Sequence, residues 1–212
     1  MRRSKNYRAL IAEAAEWRLI GLLLERPRGN WHEEVITLAR EVVDDELRAA
    51  TAAIATANEG AYLRLVGPGG AVSPREVAYQ SFVDPGQLLA KLAVAYEAFA
   101  FRPRVEEPVD HIAVEVAFVG YLLLKEAFAA ARGDDNDAAT TEKARRSFVS
   151  AHLAGFVSPF TERLEHTGPS YLSAIARHLA KRVPAHPPTA LGIAANDAHR
   201  DVCAACGVHD SQ

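Results

Sequence analysis

Cysteine is almost missing from this chain: among 212 residues only Cys203 and Cys206 carry a thiol, both close to the C-terminus. That excludes a disulfide framework and fits a reducing compartment. A bilayer-spanning run is missing too. The most apolar stretch, Ile112 to Leu124, is interrupted by Glu115 and closed by Lys125 and Glu126, short of the roughly 20 residues a span needs. The opening Met1-Arg2-Arg3-Ser4-Lys5 is basic, but Glu13 and Glu16 follow and no small-residue cleavage site does, so no export signal is expected. Positive charge is not in excess. Against 24 Lys and Arg stand 27 Asp and Glu, a formal net charge of −3, which argues against nucleic-acid binding and suits a cationic partner.

Catalytic signatures are equally scarce. Gly67-Pro68-Gly69-Gly70 lacks the Gly-Lys-Ser/Thr ending of a phosphate loop and reads as a turn. No Asp or Glu is followed three residues later by His, so the di-metal carboxylate bundle is not expected. Ser73, Ser81 and Ser150 have no nucleophile elbow around them. One metal-like pattern exists, His199, Cys203, Cys206 and His209, with zinc-ligand types at compact spacing. It lies in what reads as a terminal tail, where two free thiols are the expectation. No cofactor is expected, and neither is an enzyme.

What the chain has in quantity is apolar helix. Hydrophobic residues make up 49% of it, enough for a sizeable core, and no alternating strand pattern appears. Leu10, Ala14, Trp17, Ile20 and Leu24 predict a helix from Ser4 to Arg26, stopped by Pro27. Further helices are predicted after Asn30, from Asp44 or Asp45, up to Val66, from Asp84-Pro85 to Arg102, from Asp110 to Ala131, and over 138–153, 158–165 and 170–182. The expectation is an all-α fold: one globular domain of about eight helices over residues 1–188, with an irregular tail over 189–212.

The densest chemistry stands at the entrance of the most apolar helix: Glu107-Pro108-Val109-Asp110-His111, then Glu115. Charge there carries a desolvation penalty unless partnered. Asp110 suits an N-cap, Pro108 an extended approach, and His111 and Glu115 are spaced to meet on one face. The alternative is a polar rim on a groove. His152 and His178 read as half-buried structural histidines.

These residues carry a resemblance. Tyr62-Leu63-Arg64-Leu65-Val66-Gly67-Pro68-Gly69, Ser73-Pro74-Arg75-Glu76 with Tyr79, Glu107-Pro108-Val109-Asp110-His111 with Glu115-Val116, and Phe148-Val149-Ser150-Ala151-His152-Leu153 with Phe156 and Phe160 resemble the TorD-like family, including its DmsD and NarJ types. Phe156 departs from the Trp common in the family, and Val116 from its Leu. The resemblance implies a cytoplasmic redox-enzyme maturation chaperone. It would bind the N-terminal leader or twin-arginine signal of a molybdopterin-containing oxidoreductase catalytic subunit, without catalysis, nucleic acid or membrane insertion, as a monomer or segment-swapped dimer. On that reading Tyr79, Phe118 and Tyr121 supply apolar wall, Glu107, Asp110 and Glu115, with Pro108, face the arginines, and His111 makes binding pH-sensitive. Two other classes compete. A ligand-responsive helical regulator would need a basic helix-turn-helix, which the acidic first helix does not provide, and a zinc accessory protein would use the tail.

Overall fold

The computed structural model describes residues 6–184 except 82, 105, 168 and 169; the tail cluster of His199, Cys203, Cys206 and His209 lies outside them. Helices α1 (Tyr7–Leu24) and α6 (Ile112–Ala131) form the central pair, each apolar over most of its circumference. Two glycines let their backbones close. A methyl on Gly21 would sit 3.4 Å from the Ala113 carbonyl oxygen, and one on Gly120 3.4 Å from the Ala14 carbonyl oxygen. Low numbers on one helix therefore meet high numbers on the other, so the pair runs antiparallel, and a Cβ at either position would touch the facing backbone.

Around this pair stand α2 (Trp31–Ala39), α3 (Asp45–Thr51), α4 (Glu59–Val66), α5 (Pro85–Ala98), α7 (Asp135–Phe148), α8 (Ala154–His166) and α9 (Tyr171–Arg182). No strand occurs among the described residues, so the all-α expectation holds. Several starts are set by side chains accepting first-turn amides: Asp44 from Leu47 at 2.8 Å, Asn58 from Ala61 at 2.9 Å and Asp84 from Gln87 at 2.8 Å. Ser170 and Ser173 cap each other reciprocally. Phe118, Phe156, Phe160, Leu19, Ile20 and Leu122 are fully buried between these layers.

Two predicted boundaries move. Residues 138–153 and 158–165, expected as separate helices, form one rod, because a π turn over Val149–Leu153 joins α7 to α8. The nine described α segments thus make eight rods. Helix α6 is capped by His111 rather than Asp110: the His111 Nδ1 accepts the Ala113 amide at 3.2 Å.

Candidate functional site

Two charged regions flank α6. The first is sealed. Asp110 is fully buried and takes the Arg75 guanidinium at 2.7 and 2.9 Å through Nη2 and Nε, with the Val77 amide at 3.4 Å on its other oxygen. The Glu76 amide donates to the Asp110 carbonyl and the Ile112 amide to that of Pro74, both at 2.9 Å. The segment from Pro74 to Val77 is thereby stitched to the entrance of α6. His111 stands beside it with its Nε2 3.3 Å from the Tyr62 hydroxyl, which donates to the Leu24 carbonyl at 3.0 Å. Since Nδ1 accepts the cap bond, the ring proton sits on Nε2 and the imidazole is neutral. Burial pushes the His111 pKa down to about 4, against the pull of Asp110.

Glu115 and Glu76 form the deepest part. Glu76 receives Gln80 at 3.0 Å on one oxygen and meets the His152 Nδ1 at 3.0 Å on the other. The two Glu115 oxygens are buried and accept from no N–H or hydroxyl donor; the neighbour of the carboxyl is the Glu76 carboxylate. Burial first, then the negative Glu76 and Asp110, hold its carboxyl well above the ordinary carboxylate range, which favours the neutral form in the core. The π turn carrying His152 aims the imidazole at Glu76, a geometry that a regular helix there would change.

These positions correct the polar-rim expectation. Asp110, His111, Glu115 and Phe118 are 0, 2, 0 and 1% exposed and face neighbours, not a groove. The Phe118 ring packs against Tyr96 and Phe148, each at 4.8 Å. Tyr79 is half-buried, its hydroxyl donating to the Ser73 carbonyl at 2.7 Å and its ring under the Arg163 guanidinium at 4.5 Å. Pro108 is exposed and contributes its carbonyl to the His111 amide. Glu107 and Tyr121 do line open space.

That open space is the second region, a groove beside the α1–α6 seam. One depression of about 430 Å³ is walled by Arg18 and Glu25 of the α1 side, by Ala100 to Arg104, and by Val114, Ala117, Gly120, Tyr121 and Leu124 of α6. A second of about 230 Å³ shares Arg18, Glu25 and Arg104 and adds Arg26, Arg28, Glu34 and Glu107. A third, shallower one shares Arg18 and runs along α2 past Glu33, Glu34 and Glu41. Arg18 lines all three.

The ends differ in character. At one end Tyr121, Phe101 and Leu124 are apolar, with Tyr121 donating to the Phe99 carbonyl at 2.9 Å. Ile11, seven residues before Arg18, and Phe128, four after Leu124, continue the same helix faces; these two and Leu124 are 47, 64 and 50% exposed. At the other end Arg18, Arg26 and Arg28 are already in ion pairs with Glu25, Glu59 and Glu107, and Glu106. Among the described residues Glu33, Glu34 and Glu41 have no ion-pair partner. Sequence reasoning missed Arg18, Glu25, Phe101 and Leu124. The available signal was the seven-residue spacing of Ile11, Arg18 and Glu25 along α1 and its C-cap.

No group of His, Cys, Asp and Glu among the described residues is arranged to hold a metal, and no helix among them is long and apolar enough to cross a membrane. Among the described residues the body is all-helical, with open depressions beside the α1–α6 seam. The profile of the nitrate reductase delta subunit family matches residues 31–162, and the chain belongs to that family, a family of non-catalytic redox-enzyme maturation chaperones associated with molybdoenzyme catalytic subunits. A crystal structure from Archaeoglobus fulgidus, named as that of a redox enzyme maturation protein, shares the fold with a TM-score of 0.51 and 16% identity, over 80% of this chain and 92% of the other. No curated protein matches the chain.

Proposed function

We propose that the protein is a cytoplasmic chaperone that holds the N-terminal leader of a molybdenum-cofactor oxidoreductase catalytic subunit until cofactor insertion, before export or assembly. The leader lies in the α1–α6 groove. The observation that supports this is the division of that groove: Phe101, Tyr121 and half-exposed Leu124 at one end, and at the other Glu33, Glu34 and Glu41, which have no ion-pair partner among the described residues. A leader has the matching order of a basic head and an apolar stretch. Apolar segments bind in helix-lined grooves by burying alternate anchors, while carboxylates steer and orient the basic head. Of the residues first expected to touch the peptide, Glu107 and Tyr121 do so in this arrangement. Asp110, His111, Glu115, Phe118 and Tyr79 act from behind, by fixing α6 and the segment from Pro74 to Gln80.

The test is titration of the full chain with a fluorescent synthetic leader of basic head and apolar tail. Leu124→Asp places a charge among the apolar anchors and should weaken binding about tenfold or more, with the melting temperature unchanged because Leu124 is half-exposed. Equal affinity of this variant and the parent protein would remove the groove from the site.

A further inference from the structure

One ion pair joins Arg18, which lines all three depressions, to Glu25, which lines the first two. Arg18 Nη1 lies 2.7 Å from Glu25 Oε1. The residues are seven apart, so the Arg18 side chain reaches along about two turns of helix to make the contact. One nitrogen and one oxygen are used, short of the two-bond fork that a guanidinium and a carboxylate form when both are free to align. The Glu25 side chain is held in the wall at 13% exposure, and its cation lies outside at 35%. Glu25 also closes the C-terminal end of α1, whose last turn carries no basic residue, and the carbonyl end of a helix favours a cation. Glu34 and Glu107 add further negative potential around it.

We propose that Glu25 is the anchor for a guanidinium on an incoming segment, and that Arg18 is an internal stand-in which that guanidinium displaces. This rests on the reading of the groove as a leader site and assigns the residue that reads the arginine. Arg18 has a second berth, because it also lines the depression bearing Glu34 and Glu41, so displacement exchanges one carboxylate partner for others and strands no charge. A planar fork aligns on a carboxylate where an ammonium cannot, so the exchange favours arginine over lysine. Neither Arg18 nor Glu25 lies within the segment matched by the family profile.

The experiment uses the full chain and three labelled synthetic peptides followed by fluorescence anisotropy: an Arg-Arg pair before an apolar segment of about 14 residues, long enough to follow the groove as a helix, its Lys-Lys counterpart, and the apolar segment alone. The parent protein should bind the Arg-Arg peptide several-fold more tightly than the Lys-Lys one. Glu25→Gln should lose about tenfold on the Arg-Arg peptide, erase the preference, and leave the apolar peptide unchanged. Arg18→Gln should tighten the Arg-Arg peptide about threefold, since the stand-in is gone. Failure of the parent protein to bind any of the three overturns the leader reading itself. Binding with Glu25→Gln indistinguishable from the parent, or with no gain in Arg18→Gln, overturns this inference alone. If circular dichroism shows Glu25→Gln unfolded, the Arg-over-Lys preference and the Arg18→Gln gain decide, and absence of either counts against it.

Discussion

The interior network at the entrance of α6 and the groove on its flank are built from the same residue types and put them to opposite use. Inside, Asp110 is saturated: both oxygens are engaged, and Arg75 meets it through two nitrogens. Outside, Glu25 meets Arg18 through one. A buried carboxylate with all its partners in place is a fixed joint, because exchanging any partner passes through an unpaired charge in low dielectric. A carboxylate at the edge of water can trade partners at small penalty. On the proposed reading, incomplete pairing next to exposed apolar surface, rather than charge density, marks the binding surface.

The largest effect that would break this comparison is on stability. Asp110→Ala removes the partner of Arg75 and of the Val77 amide, leaving the Pro74–Val77 segment held by its two backbone bonds. Destabilisation of about 3 kcal/mol is expected, at the low end for a broken buried pair because Arg75 is partly exposed. Urea unfolding measures it. Per folded molecule, leader affinity should change far less than in Glu25→Gln. The reverse ranking would make the interior network the reader and the groove a bystander.

Smaller and opposite effects should appear in the pH profile of stability. His111 has a folded pKa of about 4, below its ordinary value of 6.5. The unfolded chain takes up that proton first, so the stability from a neutral His111 is full above pH 6.5 and is lost as pH falls toward 4. Glu115 has a raised folded pKa. The unfolded chain ionises it first, so its contribution is full below about pH 4.5 and is lost as pH rises through the window above. His111→Asn keeps an N-cap acceptor and should flatten the acid limb. Glu115→Gln should flatten the neutral limb, its stability relative to the parent protein growing as pH rises above about 4.5. Melts of the three proteins across this range check both signs. A Glu115→Gln difference that does not grow with pH would mean the carboxyl is already ionised and paired in the core.

Much of the fold was legible because it is written locally. Asp44 and Asp84 stand where caps belong, followed by apolar residues at helical spacing, and both cap. Asp110 could not be read the same way. Asp110 and His111 offer adjacent acceptors, and Arg75, remote in sequence, claims the first and leaves the cap to the second. Ser158-Pro159 looks like a helix start, yet the chain enters it already helical, with His152 held by Glu76 on the preceding π turn. The burial of Asp110, His111 and Glu115 was hidden for the same reason. The richest polar motif was visible in sequence, but its burial follows from packing of α1, α4 and the Pro74–Val77 segment onto it. The groove exists only once two helices distant in sequence lie side by side.

The smallest effect sharpens the boundary between joint and surface. Ala100 lines the groove and has a φ of 56°, the left-handed region that disfavours a Cβ. It sits just past α5, where the Phe101 amide returns to the Tyr96 carbonyl at 2.8 Å, a helix ending that glycine usually supplies. Ala100→Gly should relieve the conformation and stabilise by about 0.5–1 kcal/mol, a rise of about 2–4 °C in Tm per kcal/mol for a chain of this size. Leader affinity should stay within about twofold if the left-handed residue serves only to end α5. Tighter folding with weaker binding would instead show that the stiffness of the wall from Ala100 to Arg104 belongs to the site: a groove needs walls that hold their shape before the guest arrives, and glycine would loosen that wall in the unbound state.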